Sequence, residues 1–205
     1  GLYDTSGLIY VTGDATAPAT GGEPSVVSNY YLRDSTVKYY NFEDILKETT
    51  TTDSDGFFKL SYVDEPGYVD VSGGINIATG DVFVGKLQSF VNPENPVSNA
   101  TSLSTIVAMN IKQTVQSSGN ISSFSLTDIL DKKDEVVKNV ATSFGLSAED
   151  ILIDPVENSD PAKVAKITAA ANKVSSVISM IQSVVEDSGG DSGTASEAAA
   201  LAVSK

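Results

Sequence analysis

The chain contains no cysteine, no histidine and no tryptophan. The missing cysteine removes disulfides, thiolate nucleophiles and zinc–thiolate sites. It also removes the class of small secreted folds held together by disulfides. The missing histidine takes away the commonest general base and transition-metal ligand, so a Ser-His-Asp triad cannot be assembled. Any catalysis would rest on carboxylates, lysine, tyrosine or hydroxyls. Basic residues are also scarce, with 13 Lys and Arg against 27 Asp and Glu and a net charge of −14. Residues 1–97 hold 14 acidic and 5 basic side chains, and residues 98–205 hold 13 and 8. A surface this acidic repels phosphate backbones, so no nucleic-acid partner is expected. No apolar run reaches the roughly 20 residues that cross a bilayer, so no membrane span is expected. The first basic residue is Arg33 and no apolar stretch precedes a small-residue cleavage site, so no signal peptide is expected. The opening Gly1 and the close SEAAALAVSK, which stops inside a helical pattern, lead to the expectation of a processed chain extending past Lys205.

What remains is a globular composition. The 205 residues are 40% hydrophobic and 20% charged, enough for one large or two small cores. Residues 1–96 read as strands. Gly7–Thr12 (GLIYVT) is a β-branched and aromatic run, and Ala15–Pro24 is a loop by composition. Ser25–Leu32 and Thr36–Tyr40 form two more strands around an Arg33-Asp34-Ser35 turn. Phe42–Lys47 is equally consistent with a helical turn or a strand. Phe57, Leu60 and Tyr62 mark a strand after Asp55-Gly56. Tyr68–Val71 alternates at period 2 until Gly73-Gly74 breaks it, and Val82–Phe90 is the last strand. Short strands at roughly 8–12-residue spacing predict an antiparallel β-sandwich.

Val91–Val97 (VNPENPV) is a Pro-punctuated linker, and beyond it the period changes. Leu103, Val107, Ile111 and Val115 recur every fourth residue from Thr101 up to Gly119, one face of a helix. A second helix carries Leu126, Ile129, Leu130, Val137, Val140 and Phe144. Its N-cap is Ser125, Asp128 stands in the capping-box position, and Gly145 follows its end. Ser147 begins a short third helix through Leu152. Asp160-Pro161 opens a long helix with Val164, Ile167, Ala171, Val174, Ile178, Ile181 and Val185 at 3-4-3-4 spacing, running to about Asp187. This stripe fits an internal bundle seam better than an oligomeric coiled coil, because no e/g charge pattern accompanies it. Ser188–Gly193 is a flexible break, and Thr194 with Glu197 caps an Ala-rich final helix. The predicted division is a β-sandwich domain at 1–96 and an antiparallel helical bundle at 97–205.

Several residue groups bear on possible chemistry. Asp53-Ser54-Asp55-Gly56 echoes the start of a calcium loop, but position 12 from Asp53 is Asp64, and apolar Phe57 and Leu60 intervene, so a hairpin turn is the expectation. Gly73, Gly74 and Gly80 lack the GxxxxGK[ST] pattern of a phosphate loop and are read as a β-bend. Asp64/Glu65 and Glu43/Asp44 are adjacent carboxylates, which point opposite ways on a strand and do not form the facing pair a glycosidase needs. Asn99-Ala100-Thr101 and Asn120-Ile121-Ser122 match glycosylation sequons. No catalytic, cofactor-binding or metal-ligating residue is assigned, and no cofactor is expected.

Taken in order, Thr52–Phe58 (TDSDGFF), Val71–Gly80 (VSGGINIATG), Ser102–Val107 (SLSTIV), Phe144–Ser147 (FGLS) and Ile153–Val156 (IDPV) carry a family likeness. The first resembles the turn of carboxypeptidase-regulatory-like, prealbumin-like β-sandwiches. The series is similar to modules repeated in large surface proteins of marine bacteria and in virion structural proteins of marine cyanophages. The resemblance covers about residues 52–185. It implies a β-sandwich plus helical segment in an extracellular, cell-surface or virion structural protein. Where members carry an acidic calcium-type loop, this chain reads Arg33–Asp44 (RDSTVKYYNFED) without DxNxDG spacing, so that site is not carried over.

The leading expectation is a non-catalytic structural or adhesive subunit. Its partners would be other copies of itself or neighbouring structural proteins, met through strands such as Ser25–Leu32 or Val82–Phe90. An alternative is a carbohydrate-binding surface module using Tyr30, Tyr31, Tyr39 and Tyr40. A carboxylate-only hydrolase is the remaining reading.

Overall fold

The computed structural model describes residues 9–10, 31–95, 97–153, 160–171 and 173–174, and within them antiparallel strands give way to helices, a mixed α+β fold. The strands are β1 (Ile9–Tyr10), β2 (Leu32–Arg33), β3 (Thr36–Asn41), β4 (Leu46–Thr51), β5 (Phe57–Phe58), β6 (Gly67–Ser72), β7 (Ile75–Asn76) and β8 (Lys86–Val91). Four of them form one antiparallel sheet in the order β4-β3-β6-β8, while β1 pairs with β5 and β2 with β7.

Alternation decides the two faces of the four-stranded sheet. Val37, Tyr39, Val69, Val71, Leu87 and Val91 point one way, and the pairs Val37↔Val71 and Val69↔Ser89 fix the register. They join Leu32, Phe58, Leu60 and Val63 in one apolar cluster. Tyr40, Tyr68 and Phe90 point the other way and meet the helices. Gly67 is required by close approach, because a Cβ there would lie 2.0 Å from the Tyr40 carbonyl oxygen.

Helix α1 (Ser102–Ser117) starts from Thr101, whose side chain accepts the Ser104 N–H while the Ser104 hydroxyl accepts the Thr101 N–H. Helix α2 (Leu126–Phe144) has the capping box expected of Ser125 and Asp128, and it ends on Gly145 at φ 66°. That left-handed conformation suits glycine and closes the helix. The third helix, α3, is helical at 161–171 and 173–174, and Asp160 Oδ1 accepts the Ala162 N–H at its start. Leu103, Ile111, Ile129, Val140 and Ile167 of the three helices share one cluster with Phe42, Tyr68 and Phe90 of the sheet side. Val164, Ile167, Ala171 and Val174 are all buried, so the described part of that stripe faces inward.

Several expectations change. Phe42–Lys47 divides into a turn and the start of β4, and the strand Leu46–Thr51 was not anticipated. The strand expected at Val82–Phe90 begins only at Lys86; Val82 and Val84 are 69% and 76% exposed on the loop before Gly85. The strand expected across Phe57–Tyr62 is two residues long, with Leu60 buried beyond it. The short helix after Ser147 is one 3-10 turn, Ala148–Asp150, with no side-chain cap bond. The loop at 15–24, the strand residues 25–30, the lower part of the 164–185 stripe and everything from 188 onward lie outside the described residues. Among the described residues no helix is long and apolar enough to cross a membrane.

Candidate functional site

A sheet interacts through its faces and its two edges, and here the edges are treated differently. At β8 the outward backbone is consumed by the start of α1. The Gln88 N–H donates to Thr105 Oγ1 at 2.9 Å, and the Ser104 hydroxyl donates to the Gln88 carbonyl at 2.6 Å. Thr101 forms an isolated antiparallel bridge to Gln88. Ser89 Oγ donates to the Asn99 carbonyl at 2.9 Å, and Ser98 Oγ lies 2.9 Å from the Phe90 carbonyl. The hydroxyls of Ser98, Ser104 and Thr105 thus occupy the groups an added strand would need. This explains the SLSTIV phrase physically: its small hydroxyl side chains fit between a helix and a strand edge.

Among the described residues no strand pairs with the opposite edge, β4. Leu46, Lys47, Thr49 and Thr51 are exposed, and Ile45 beside them is 52% exposed. A bulge between Tyr39 and Tyr40 ends the regular pairing near Lys47. Lys47 Nζ lies 3.0 Å from Glu65 and 3.5 Å from Asp64. The hydrogen bond to Glu65 holds the Lys47 pKa above its ordinary value. Glu48 accepts the Ser61 N–H at 2.9 and 3.0 Å through its two oxygens. Below this row, the Tyr39 hydroxyl donates to the Glu65 carbonyl at 2.5 Å. Burial, reinforced by the Asp64 charge, pushes the Tyr39 phenol well above its usual range.

Asp53, Asp64, Glu65 and Asp44 each have structural partners. Asp53 Oδ1 accepts the Asp55 N–H at 2.9 Å and the Phe57 N–H at 3.0 Å, the hairpin-turn role expected of it. Asp64 and Glu65 share Lys47. Asp44 accepts the Tyr68 hydroxyl at 2.5 Å and lies 3.8 Å from Lys112, whose ammonium sits 4.7 Å above the Tyr68 ring. Burial, then the bond to Asp44, pushes the Tyr68 phenol up. Glu43 is exposed beside Asp44. The tyrosines considered for sugar stacking are placed in the interior: Tyr31 and Tyr39 are buried and Tyr40 stacks on Tyr68 at 5.3 Å, while Tyr30 lies outside the described residues. Of the two sequons, Asn99 is buried with its amide donating to the Leu152 carbonyl, and Asn120 is exposed.

Two open depressions are present among the described residues. One of about 430 Å³ lies between α2 and the 3-10 turn, lined by Lys133, Asp134, Lys138 and Glu149. The other, about 310 Å³, lies beside the C-terminus of α1, lined by Glu43, Gln116, Asn120 and Ser122. The first also has Val137, Ala148 and Leu152 in its wall, and the second carries a single carboxylate, Glu43. Among the described residues no three acidic side chains are grouped to hold a metal ion.

β4 escaped sequence reading because it is polar and does not alternate. The one signal was the run Thr49–Thr52, four β-branched residues in a row. No protein family, no curated protein and no solved structure matches the chain.

Proposed function

We propose that the chain is a non-catalytic structural or adhesive subunit, displayed outside a cell or on a virion, that works through contacts with copies of itself or with neighbouring structural proteins. The observation that carries this reading is the asymmetry of the sheet, with β8 closed by α1 and β4 left without a second strand neighbour among the described residues and flanked by exposed Ile45 and Leu46. An open strand edge offers unpaired N–H and C=O groups to another chain. The finer architecture proposed is an N-terminal antiparallel β-sandwich followed by an antiparallel helical bundle. It is supported by the second apolar cluster, which places Leu32, Phe58 and Leu60 against the sheet face away from the helices. Asp64, Glu65, Asp44 and Asp53 are engaged with Lys47, Lys112 and backbone N–H groups, which supports a role without turnover.

Ultracentrifugation across salt tests the reading. Copies carrying −14 repel at low salt. Raising salt from about 0.01 M to 0.15 M shortens the screening length from roughly 30 to 8 Å, so association is expected to strengthen. A strict monomer at high concentration throughout that range would overturn self-assembly and move the weight to a different partner.

A further inference from the structure

We propose that Asn120 is the attachment site of an N-linked sugar and that Asn99, the other sequon, stays bare. The setting rests on the display reading above, which brings the chain to glycosyl-transferring enzymes; the choice between the two asparagines rests on the fold. Both triplets, Asn99-Ala100-Thr101 and Asn120-Ile121-Ser122, satisfy the acceptor pattern, with no proline in the middle. The first is spent on packing. Asn99 is 9% exposed and its Nδ2 donates to the Leu152 carbonyl at 3.3 Å. Thr101 is buried, and its hydroxyl accepts the Ser104 N–H at the start of α1. A sugar on the Asn99 nitrogen would displace Leu152 and open the junction of β8 with α1.

Asn120 has the opposite surroundings. Helix α1 ends at Ser117, Gly119 turns the chain at φ 75°, and Asn120 is exposed just before the 3-10 turn Ile121–Ser123. Its backbone is held on both sides. The N–H donates to Ser118 Oγ at 3.2 Å, and the carbonyl accepts the Ser123 N–H at 3.1 Å and the Ser123 hydroxyl at 2.7 Å. The side chain is held by its oxygen alone. The hydroxyl of Ser122, the third residue of the sequon, donates to Asn120 Oδ1 at 2.7 Å, and Nδ2 has no partner among the described residues. The nitrogen that would carry the sugar is therefore available without breaking a bond of the fold. Beside it lies the hollow of about 310 Å³ lined by Glu43, Gln116, Asn120 and Ser122, which gives a first sugar ring space and polar neighbours. The reaction is a substitution at an anomeric carbon. Its donor is a sugar activated by phosphate at that carbon, carried on a lipid pyrophosphate or on a nucleoside diphosphate. The bond from Nδ2 to the anomeric carbon forms and the carbon–oxygen bond to phosphate breaks. The phosphate leaves with the electron pair, and one amide proton passes to a base of the transferase.

Mass spectrometry of the full chain from its natural source tests the assignment. Trypsin separates the two sequons, leaving Asn99 on Leu87–Lys112 and Asn120 on Gln113–Lys132. The expected result is a sugar mass on Gln113–Lys132, placed on Asn120 by electron-transfer fragmentation, and a bare Leu87–Lys112. An oligosaccharide identifies the lipid-linked donor, and a single hexose identifies the nucleotide sugar. Ser122→Ala keeps Asn120 and changes only an exposed turn residue. Its circular dichroism spectrum should match that of the unaltered chain while the sugar is lost. A bare Asn120, a sugar carried by a serine of the same peptide, or a sugar on Asn99 overturns the assignment, as does a sugar that survives Ser122→Ala. Failure here is separable from failure of assembly. A bare chain that associates as salt rises overturns the sugar alone, and a glycosylated chain that stays monomeric overturns self-assembly alone.

Discussion

Gln88 carries opposite roles on its two halves. Its backbone anchors α1, while its side-chain amide is fully buried and neither Oε1 nor Nε2 has a partner. An unpaired buried amide costs about 1–3 kcal/mol. Gln88→Met keeps the volume and the backbone bonds, so it is expected to raise the urea midpoint by the equivalent of about 1 kcal/mol or more. An unchanged or lowered midpoint would place a bound water on that amide. Tyr39 and Tyr68 give a second prediction. Both phenols are pushed up, chiefly by burial, so the folded chain keeps protons that the unfolded chain releases near pH 10. The corresponding stability is complete below that pH and is lost as pH rises through the higher native values. Absorbance at 295 nm should therefore show part of the phenolate signal appearing only together with unfolding. Full ionisation of all eight tyrosines before any loss of dichroism would contradict the burial.

Elements differ in how far they are written locally. Helix α2 begins and ends where its cap residues say, because Ser125, Asp128 and Gly145 bond within a few residues of themselves. Strand β4 has no such local mark, and it is a strand because β3 lies beside it. The contact of α1 with β8 is likewise non-local. Thr105→Val preserves shape and removes the acceptor of the Gln88 N–H. Since Thr105 is buried, that N–H cannot turn to water, and a loss of about 1–3 kcal/mol is expected in chemical denaturation. A change below about 0.5 kcal/mol would mean the edge is satisfied some other way. Helix α3 is held by its apolar stripe, with Ile167 2% exposed. Ile167→Ala should cost about 2–5 kcal/mol. A neutral result would detach α3 from the core.

At the scale of the molecule, the change of hydrophobic period near residues 91–98 coincides with the turn from β8 into α1. Phe42, Tyr68 and Phe90 on one side of it share a cluster with Leu103, Ile111 and Ile167 on the other. Separate folding of 1–96 and 97–205 is settled by making the two fragments. The shared cluster predicts that fragment 1–96 exposes three aromatic side chains and binds a hydrophobic dye, and that mixing the fragments suppresses the binding. Two dye-silent fragments with full dichroism would establish independent cores. The same cluster explains why the helices pack on the sheet at all: neither layer can bury its apolar face alone.

The sequence by itself determined the mixed class, the position of the strand-to-helix switch, the extents of α1 and α2 and the turn at Asp53. All of these rest on periodicity and on bonds between residues close in the chain. It also determined what chemistry is missing, since no folding can supply an imidazole or a thiol. Only the tertiary structure decided that Tyr39 and Tyr31 point inward, that Lys47 gathers Asp64 and Glu65, and that β8 is closed by α1 while β4 has no second strand neighbour among the described residues. Those outcomes depend on which strand lies beside which, and on a helix start reaching a strand 17 residues earlier, between Gln88 and Thr105. A polar threonine strand reads as a loop until its neighbour is known, because hydrogen bonds between strands carry no signature in the order of residues along one of them.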